Sequence, residues 1–386
     1  MVVAGSANES LASLLLHRRV VITVGAGGVG KTTTAAALAV AAAAKGRRVL
    51  CLTIDPAKRL AESLGLDAMT TEAMVVDPAR FARAGVPHEG SLTVMMLDTK
   101  RTFDEIVRKH SSTPAKAEQL LKNRLYQYVS TSLAGTQEYM AMEKLAMVKS
   151  DPRYDLIVLD TPPTANALDF LDAPERLIGA LDSAAMRWFV DAFQSTGKLS
   201  LNVLAKSAAV VLRTIGKITG GSFLDDMARL ITELNDLFGG FRERARTVQR
   251  ELRGDDVAFV LVTSPAPMSV REVLYFSERL TASSMPRGAF VVNRLRLAPL
   301  GPEVSTRDIE AEIGARSLAL EEGAAERLAE ARADQAKLAA LDAIHLRRLE
   351  AEAGNVPLVR VPEFATDVRD VALLGDVAAL LVAGGV

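Results

Sequence analysis

The sequence predicts an α/β fold, a mostly parallel sheet with helices on both faces, and three observations lead there. Short, nearly pure apolar runs recur at Val20–Val24, Arg48–Ile54, Leu92–Leu97, Tyr154–Leu159, Val257–Thr263, Ala289–Asn293 and Val356–Val361. Strands covered on both faces read this way. Helical stretches separate most of these runs, and that alternation builds parallel sheets. Finally, the first run passes directly into Gly25-Ala-Gly-Gly-Val-Gly-Lys-Thr-Thr, a glycine-rich turn with the spacing G-x-x-x-x-G-K-[ST].

Bulk properties set the limits. The chain has 386 residues, 49% hydrophobic and 24% charged, an ordinary globular composition. That length suits one extended α/β domain or one carrying a helical insertion. A net charge of −1 argues against nucleic-acid binding by bulk electrostatics. The single cysteine, Cys51, rules out an intrachain disulfide framework and a Cys-pair zinc site within one chain. It lies in an apolar run and is expected to be a buried, inert thiol. The leucine-rich segment Leu11–Leu16 has no basic stretch before it, so no signal peptide is apparent. No uncharged run approaches membrane-spanning length, and a cytoplasmic protein is expected.

Taken in order, Val20–Val24 is the first strand and the turn after it is a candidate phosphate loop. Its glycines, Gly25, Gly27, Gly28 and Gly30, let the backbone curl until several N–H groups face one anion. Lys31 supplies an ammonium between β- and γ-phosphates, and the Thr32 hydroxyl faces Mg²⁺. The alanine-rich helix from Thr33 to Lys45 adds its N-terminal dipole to the same place. Arg48–Ile54 is the second strand and ends at Asp55-Pro56-Ala57-Lys58-Arg59. A carboxylate just beyond a strand end lies where open α/β sheets bind ligands. Leu92–Leu97 follows, and then a charged helical region from Thr102 to Lys149 with Pro114 as a break. Tyr154–Leu159 leads into Asp160-Thr161-Pro162-Pro163-Thr164. An apolar strand ending in Asp is the Walker-B arrangement, in which the carboxylate holds Mg²⁺ or its water.

From Pro174 to Arg253 no strand is evident. Leu177, Leu181, Ala184 and Trp188 recur at helical spacing, as do Met227, Leu230, Leu234, Leu237 and Phe241. Such stripes fit helices packed on one another, and they also fit an apolar groove for a partner helix. Lys206, Arg213 and Lys217 interrupt Leu199–Ile218, which argues against a bilayer span. Strand and helix then alternate again: Val257–Thr263, a helix over Ser269–Ser283, and Ala289–Asn293. A long charged helix is expected over Thr306–Glu352, facing solvent or a dimer edge. Val356–Val361 closes the sheet, and Pro362-Glu363-Phe364 and a final amphipathic helix follow it.

These motifs together resemble the arsenical-pump and tail-anchored-protein-targeting ATPase family. Gly25-Ala-Gly-Gly-Val-Gly-Lys-Thr-Thr is similar to its deviant Walker A loop, Asp55-Pro56-Ala57 to its switch I, and Asp160-Thr161-Pro162-Pro163-Thr164 to its switch II. The resemblance implies a P-loop NTPase fold spanning residues 1–386, with helical insertions at 99–150 and 172–252. It implies ATP and Mg²⁺ as cofactors, with phosphate contacts from Gly25, Ala26, Gly27, Gly28, Val29, Gly30, Lys31, Thr32 and Thr33. Asn293, Pro362 and Phe364 sit where the family contacts adenine. Thr32 and Asp160 would serve the metal, and Asp55, with Lys31, the chemistry. Family members act as dimers that close over ATP, so the resemblance implies a homodimer or a heterodimer with a related ATPase. The helical region falls where the targeting branch binds a client's hydrophobic helix. No nucleic acid and no stable membrane insertion are expected.

The departures from the family are specific. Its signature lysine is Ala26 here, and a methyl group neutralises no charge in a transition state; Lys58, Arg59 or a partner subunit must supply that cation. Lys58 stands in place of a switch I histidine, and Ala165 and Asn166 replace the glycine and histidine of switch II. With one cysteine there is no set of thiols to hold trivalent arsenic, so arsenite export is disfavoured. The alternative to an ATP-driven dimer is a nucleotide-binding regulatory or scaffold protein of low turnover. A partition-type ATPase is disfavoured by the near-zero net charge.

Overall fold

The computed structural model describes residues 10–54, 59–66, 69–124, 126, 127, 130, 136–161, 173, 175, 176, 179, 243–301 and 304–385. Eight strands lie in one sheet: β1 (Val20–Val24), β2 (Arg48–Thr53), β3 (Met74–Val75), β4 (Ser91–Met96), β5 (Leu156–Asp160), β6 (Val257–Thr263), β7 (Arg287–Leu295) and β8 (Leu358–Pro362). Their order is β3-β4-β2-β5-β1-β6-β7-β8. Every neighbouring pair is parallel except β3 with β4. The predicted fold class is therefore observed. β1 lies at the centre, between β5 and β6, so its C-terminal turn opens where open α/β sheets form their crevice.

Side chains alternate across this sheet as the pleat requires. On β1, Val20, Ile22 and Val24 enter one core while Val21 enters the other. On β6, Val257, Phe259 and Leu261 go one way, and Ala258, Val260 and Val262 the other. The first face is covered by α1 (Leu11–His17), α2 (Lys31–Ala44) and α11 (Val371–Ala383). Helix α2 is buried at almost every position. Its run of alanines makes this possible, since methyl groups let it lie flat between sheet and α11. The opposite face is covered by α7 (Thr136–Lys149), the helical residues 243–251, α8 (Pro267–Ala282) and part of α10 (Ala324–Ala353). A third apolar cluster lies apart from the sheet. It includes Phe103, Ile106 and Val107 of α5 (Thr99–His110), Leu120 and Leu121 of α6 (Pro114–Lys122), and Tyr139 and Met140 of α7. Pro114 does break the charged helical region, at the start of α6. The stripes at Leu177–Trp188 and Met227–Phe241 lie outside the described residues.

Two short helices, α3 (Arg59–Ser63) and α4 (Pro78–Arg83), and the strand β3 were not expected. The single long helix expected over Thr306–Glu352 is instead two, α9 (Thr306–Ala315) and α10. A capping box between Ser305 and Asp308 starts α9. The chain then turns through Ser317 (φ 52°) and Gly323 (φ 74°), both left-handed, before α10 begins. Helix α10 is tied to the sheet by Arg296, just past β7. Its main-chain N–H and Nε each donate to Asp342 Oδ2 at 3.0 Å, and Nη2 donates to Oδ1 at 2.6 Å. At the outer margin Gly385 bridges Arg360 of β8. A Cβ there would sit 2.4 Å from main-chain atoms of Arg360, so the tail approaches only as glycine. Among the described residues no helix is long and apolar enough to cross a membrane.

Arg48 and Asp155 join β2 to the chain entering β5. The Arg48 main-chain N–H and Nε donate to Asp155 Oδ2 at 2.9 and 3.0 Å, and Nη2 donates to Oδ1 at 2.6 Å. Bonding to the Arg48 side chain holds the Asp155 carboxyl at about 2, below the usual carboxylate range. In the unfolded chain it titrates near 3.9. Its stabilising contribution is complete above that value and is lost as pH falls through about 2. Arg48→Ala is expected to flatten the rise of stability with pH across this window, measured by denaturant midpoints at stepped pH. An unaltered slope would show that the pair contributes nothing.

Candidate functional site

The turn after β1 has the geometry its glycines allow. A Cβ on Gly25 would lie 2.0 Å from the Val262 carbonyl oxygen of β6, and main chain cannot step aside. Gly30 has φ +92°, a left-handed conformation that favours glycine. Val29 is buried in the core below and pins the turn from within. Helix α2 begins at Lys31, with no side-chain cap and no acidic residue in its first turn. An uncapped N-terminus of this kind attracts an anion through its amides and dipole. Lys31 is buried, and its ammonium donates to the Ala26 carbonyl at 2.7 Å. The ammonium is thus held against the loop, and a polyphosphate offers it a stronger, charged acceptor.

Asp160 ends β5 level with Thr23 of β1 and Thr53 of β2. It is fully buried, and its Oδ2 accepts a hydrogen bond from the Thr53 hydroxyl at 3.0 Å. The next residue, Thr161, donates from its hydroxyl to the Thr23 carbonyl at 2.7 Å. The carboxylate is therefore set at the level of the strand end from which the phosphate loop departs. Cys51 is fully buried on the adjacent strand, and burial together with Asp160 pushes its thiol pKa up. It is the inert thiol expected.

A cleft of about 990 Å³ opens over these strand ends. Gly28, Gly30, Lys31, Thr32 and Thr33 line it, and so do Asn293, Pro362 and Phe364. The Leu295 carbonyl accepts the Glu363 N–H at 3.0 Å, which joins these last two segments. The remaining sequence candidates, Gly25, Ala26, Gly27, Val29 and Asp160, do not line the cleft. The first four shape the loop, and Asp160 is buried. Asp55, with Pro56, Ala57 and Lys58, lies outside the described residues, as do Pro162–Asn166. Arg59, at the start of α3, Arg294 and Thr161 also line the cleft. Arg59 was signalled in the sequence by its place after Asp55-Pro56-Ala57-Lys58, and Thr161 by its place after Asp160 in the switch II motif. Nothing in the local sequence marks Arg294, which enters because β7 carries it to the same strand ends.

The donors suit a small hard cation. The Thr32 hydroxyl and the Asp160 carboxylate offer oxygen donors, and among the described residues no cluster of three His, Cys, Asp or Glu forms a protein-only cage. Mg²⁺ favours such a site, taking most of its ligands from phosphate and water.

A parallel sheet with a curled glycine loop at its central strand, a buried lysine and a cleft of nucleotide size defines a P-loop nucleotide-binding protein. Comparison with known proteins narrows this. The model of the anion-transporting ATPase family matches residues 18–301, and the chain belongs to that family; it is an ATPase. The ATPase get3 of Aspergillus terreus is 28% identical over an alignment covering 74% of this chain and 75% of the relative. For ATPase GET3B of Arabidopsis thaliana the identity is 27%, covering 72% of this chain and 64% of the relative. For the ATPase ASNA1 homolog of Trypanosoma cruzi it is 26%, covering 74% and 77%. Helices α9, α10 and α11 and strand β8 follow the matched segment.

Proposed function

We propose that the chain binds ATP with Mg²⁺ in the cleft and hydrolyses it as a dimer, with the nucleotide state controlling a helical subdomain that takes a hydrophobic protein segment. The observation that carries this reading is the cleft itself. The phosphate loop lines it together with the Asn293 and Pro362–Phe364 segments, which are suited to a base. Thr32 and, through water, Asp160 would hold the metal, which supplies neutralisation of charge on the phosphates. Lys31 binds the β- and γ-phosphates, and Asp55 orients the attacking water.

The insertions at 99–150 and 172–252 form the proposed subdomain within a single domain spanning 1–386. One contact supports its coupling to the site. Gln137 Nε2, in α7, donates to the Ile54 carbonyl at 3.1 Å, and Ile54 immediately precedes Asp55. Movement of that segment on nucleotide exchange is therefore passed directly to the helices of the third apolar cluster. Soluble, cytoplasmic action belongs to the same proposal.

Ala26 favours a second reading, low turnover in a regulatory heterodimer. With alanine there, the trans cation comes from Lys58, Arg59 or another subunit, and Arg294 in the cleft wall is a further candidate. The test uses the purified single chain. With Mg²⁺ and a non-hydrolysable ATP analogue its mass in solution should double relative to ADP, and binding of an apolar fluorescent probe should rise. An unchanged mass together with unchanged probe binding refutes the dimer switch. Doubling with negligible turnover selects the regulatory reading.

A further inference from the structure

The end of β7 departs from regular pairing at the cleft. Val292 still pairs with Thr263 of β6, but the register with β8 shifts between Val292 and Leu295. Arg294 within this irregularity has φ +58°, a left-handed conformation uncommon for a residue with a side chain. Irregularities of this kind re-aim a side chain, and strained backbone gathers at working sites. The residue re-aimed here is Asn293. Its Nδ2 donates to the Val29 carbonyl at 2.9 Å, across 264 residues of chain. A Cβ on Gly30 would lie 2.2 Å from the same nitrogen. The glycine thus admits the amide to the loop, and the amide in turn fixes a carbonyl inside the loop.

A carbonyl only accepts, so the NH₂ side of the amide must face Val29. The peptide whose oxygen it holds carries the Gly30 N–H on its other end. Because a peptide unit is planar, holding the oxygen sets the direction of that N–H. We propose that Asn293 is a positioning residue for the phosphate loop, holding the Val29–Gly30 peptide so that its N–H faces the phosphates whatever base is attached. The proposal rests on the reading of the cleft as a triphosphate site, and it is separate from any contact between Asn293 and the base.

The test measures dissociation constants of ATP, GTP and UTP for the wild-type chain, Asn293→Ala and Lys31→Ala, together with amide hydrogen exchange of residues 25–33 without nucleotide. Asn293→Ala should weaken all three nucleotides by a common factor, roughly fivefold to tenfold, the weight of one hydrogen bond. It should also speed exchange in the loop while the central strands keep wild-type protection. Asn293→Ser, too short to reach Val29, should behave alike and serves if the alanine variant does not fold. A loss confined to ATP makes Asn293 a base reader only and overturns the proposal. So does loop exchange at the wild-type rate, or faster exchange throughout the sheet. If the wild-type chain binds none of the three and Lys31→Ala changes nothing, the triphosphate reading fails by itself, and loop exchange still decides the role of Asn293.

Discussion

Lys31→Ala is expected to lower ATP turnover by about 10²–10³-fold, the cost of removing one preorganised group aimed at developing charge. Between Gly25 and Thr34, Lys31 is the one charged side chain, and position 26 offers only a methyl group. Nothing else in the loop can take over. The same substitution should change thermal stability little. The ammonium donates to the Ala26 carbonyl, and the roughly 1.5–3 kcal/mol such a charged bond contributes is offset in part by the cost of burying the charge. Steady-state hydrolysis and a thermal melt of the same preparation check both parts. Turnover within a factor of a few of wild type would remove Lys31 from the chemistry.

Arg296→Ala should produce the largest loss of stability, about 2–3 kcal/mol, as expected when a partly buried ion pair loses the member that satisfies its buried carboxylate. The asymmetry of the pair decides which partner matters more. The Asp342 side chain is 2% exposed while Arg296 is 35% exposed. Removing arginine strands a carboxylate in the interior, whereas Asp342→Ala leaves a guanidinium that water can still reach. The aspartate variant should therefore cost less, and the double variant less than the sum of the two. Urea unfolding of the three variants gives the comparison; equal single costs with simple additivity would show that the two groups do not act as a pair.

Most strands of the central sheet are legible in the sequence because each holds a short, mainly apolar run, and such runs belong to strands covered on both faces. Strand β3 is not, because two residues, one of them Val75 exposed at the surface, cannot show a period. The turn between α9 and α10 was hidden for a different reason. Residues 316–323 contain no proline, and their leucines and glutamates continue the helical composition on either side. The break is made by left-handed backbone at Ser317 and Gly323. At the site, the phosphate loop was readable because its chemistry is local, with all its groups within ten residues. The bond from Asn293 to Val29 was not, because only the folded sheet brings β7 beside the loop. The same holds for Arg294 in the cleft wall and for the Arg296–Asp342 tie.

The two margins of the sheet are closed in different ways. On one side the last strand runs antiparallel for only two residues, Met74 and Val75, too short a template for a foreign strand. On the other, the chain end lies against Arg360 through Gly385, and Pro362 terminates β8 with a residue that has no N–H to offer. Long open edges invite intermolecular strand addition and fibrous aggregation. Both margins therefore offer a foreign strand only a short or interrupted edge.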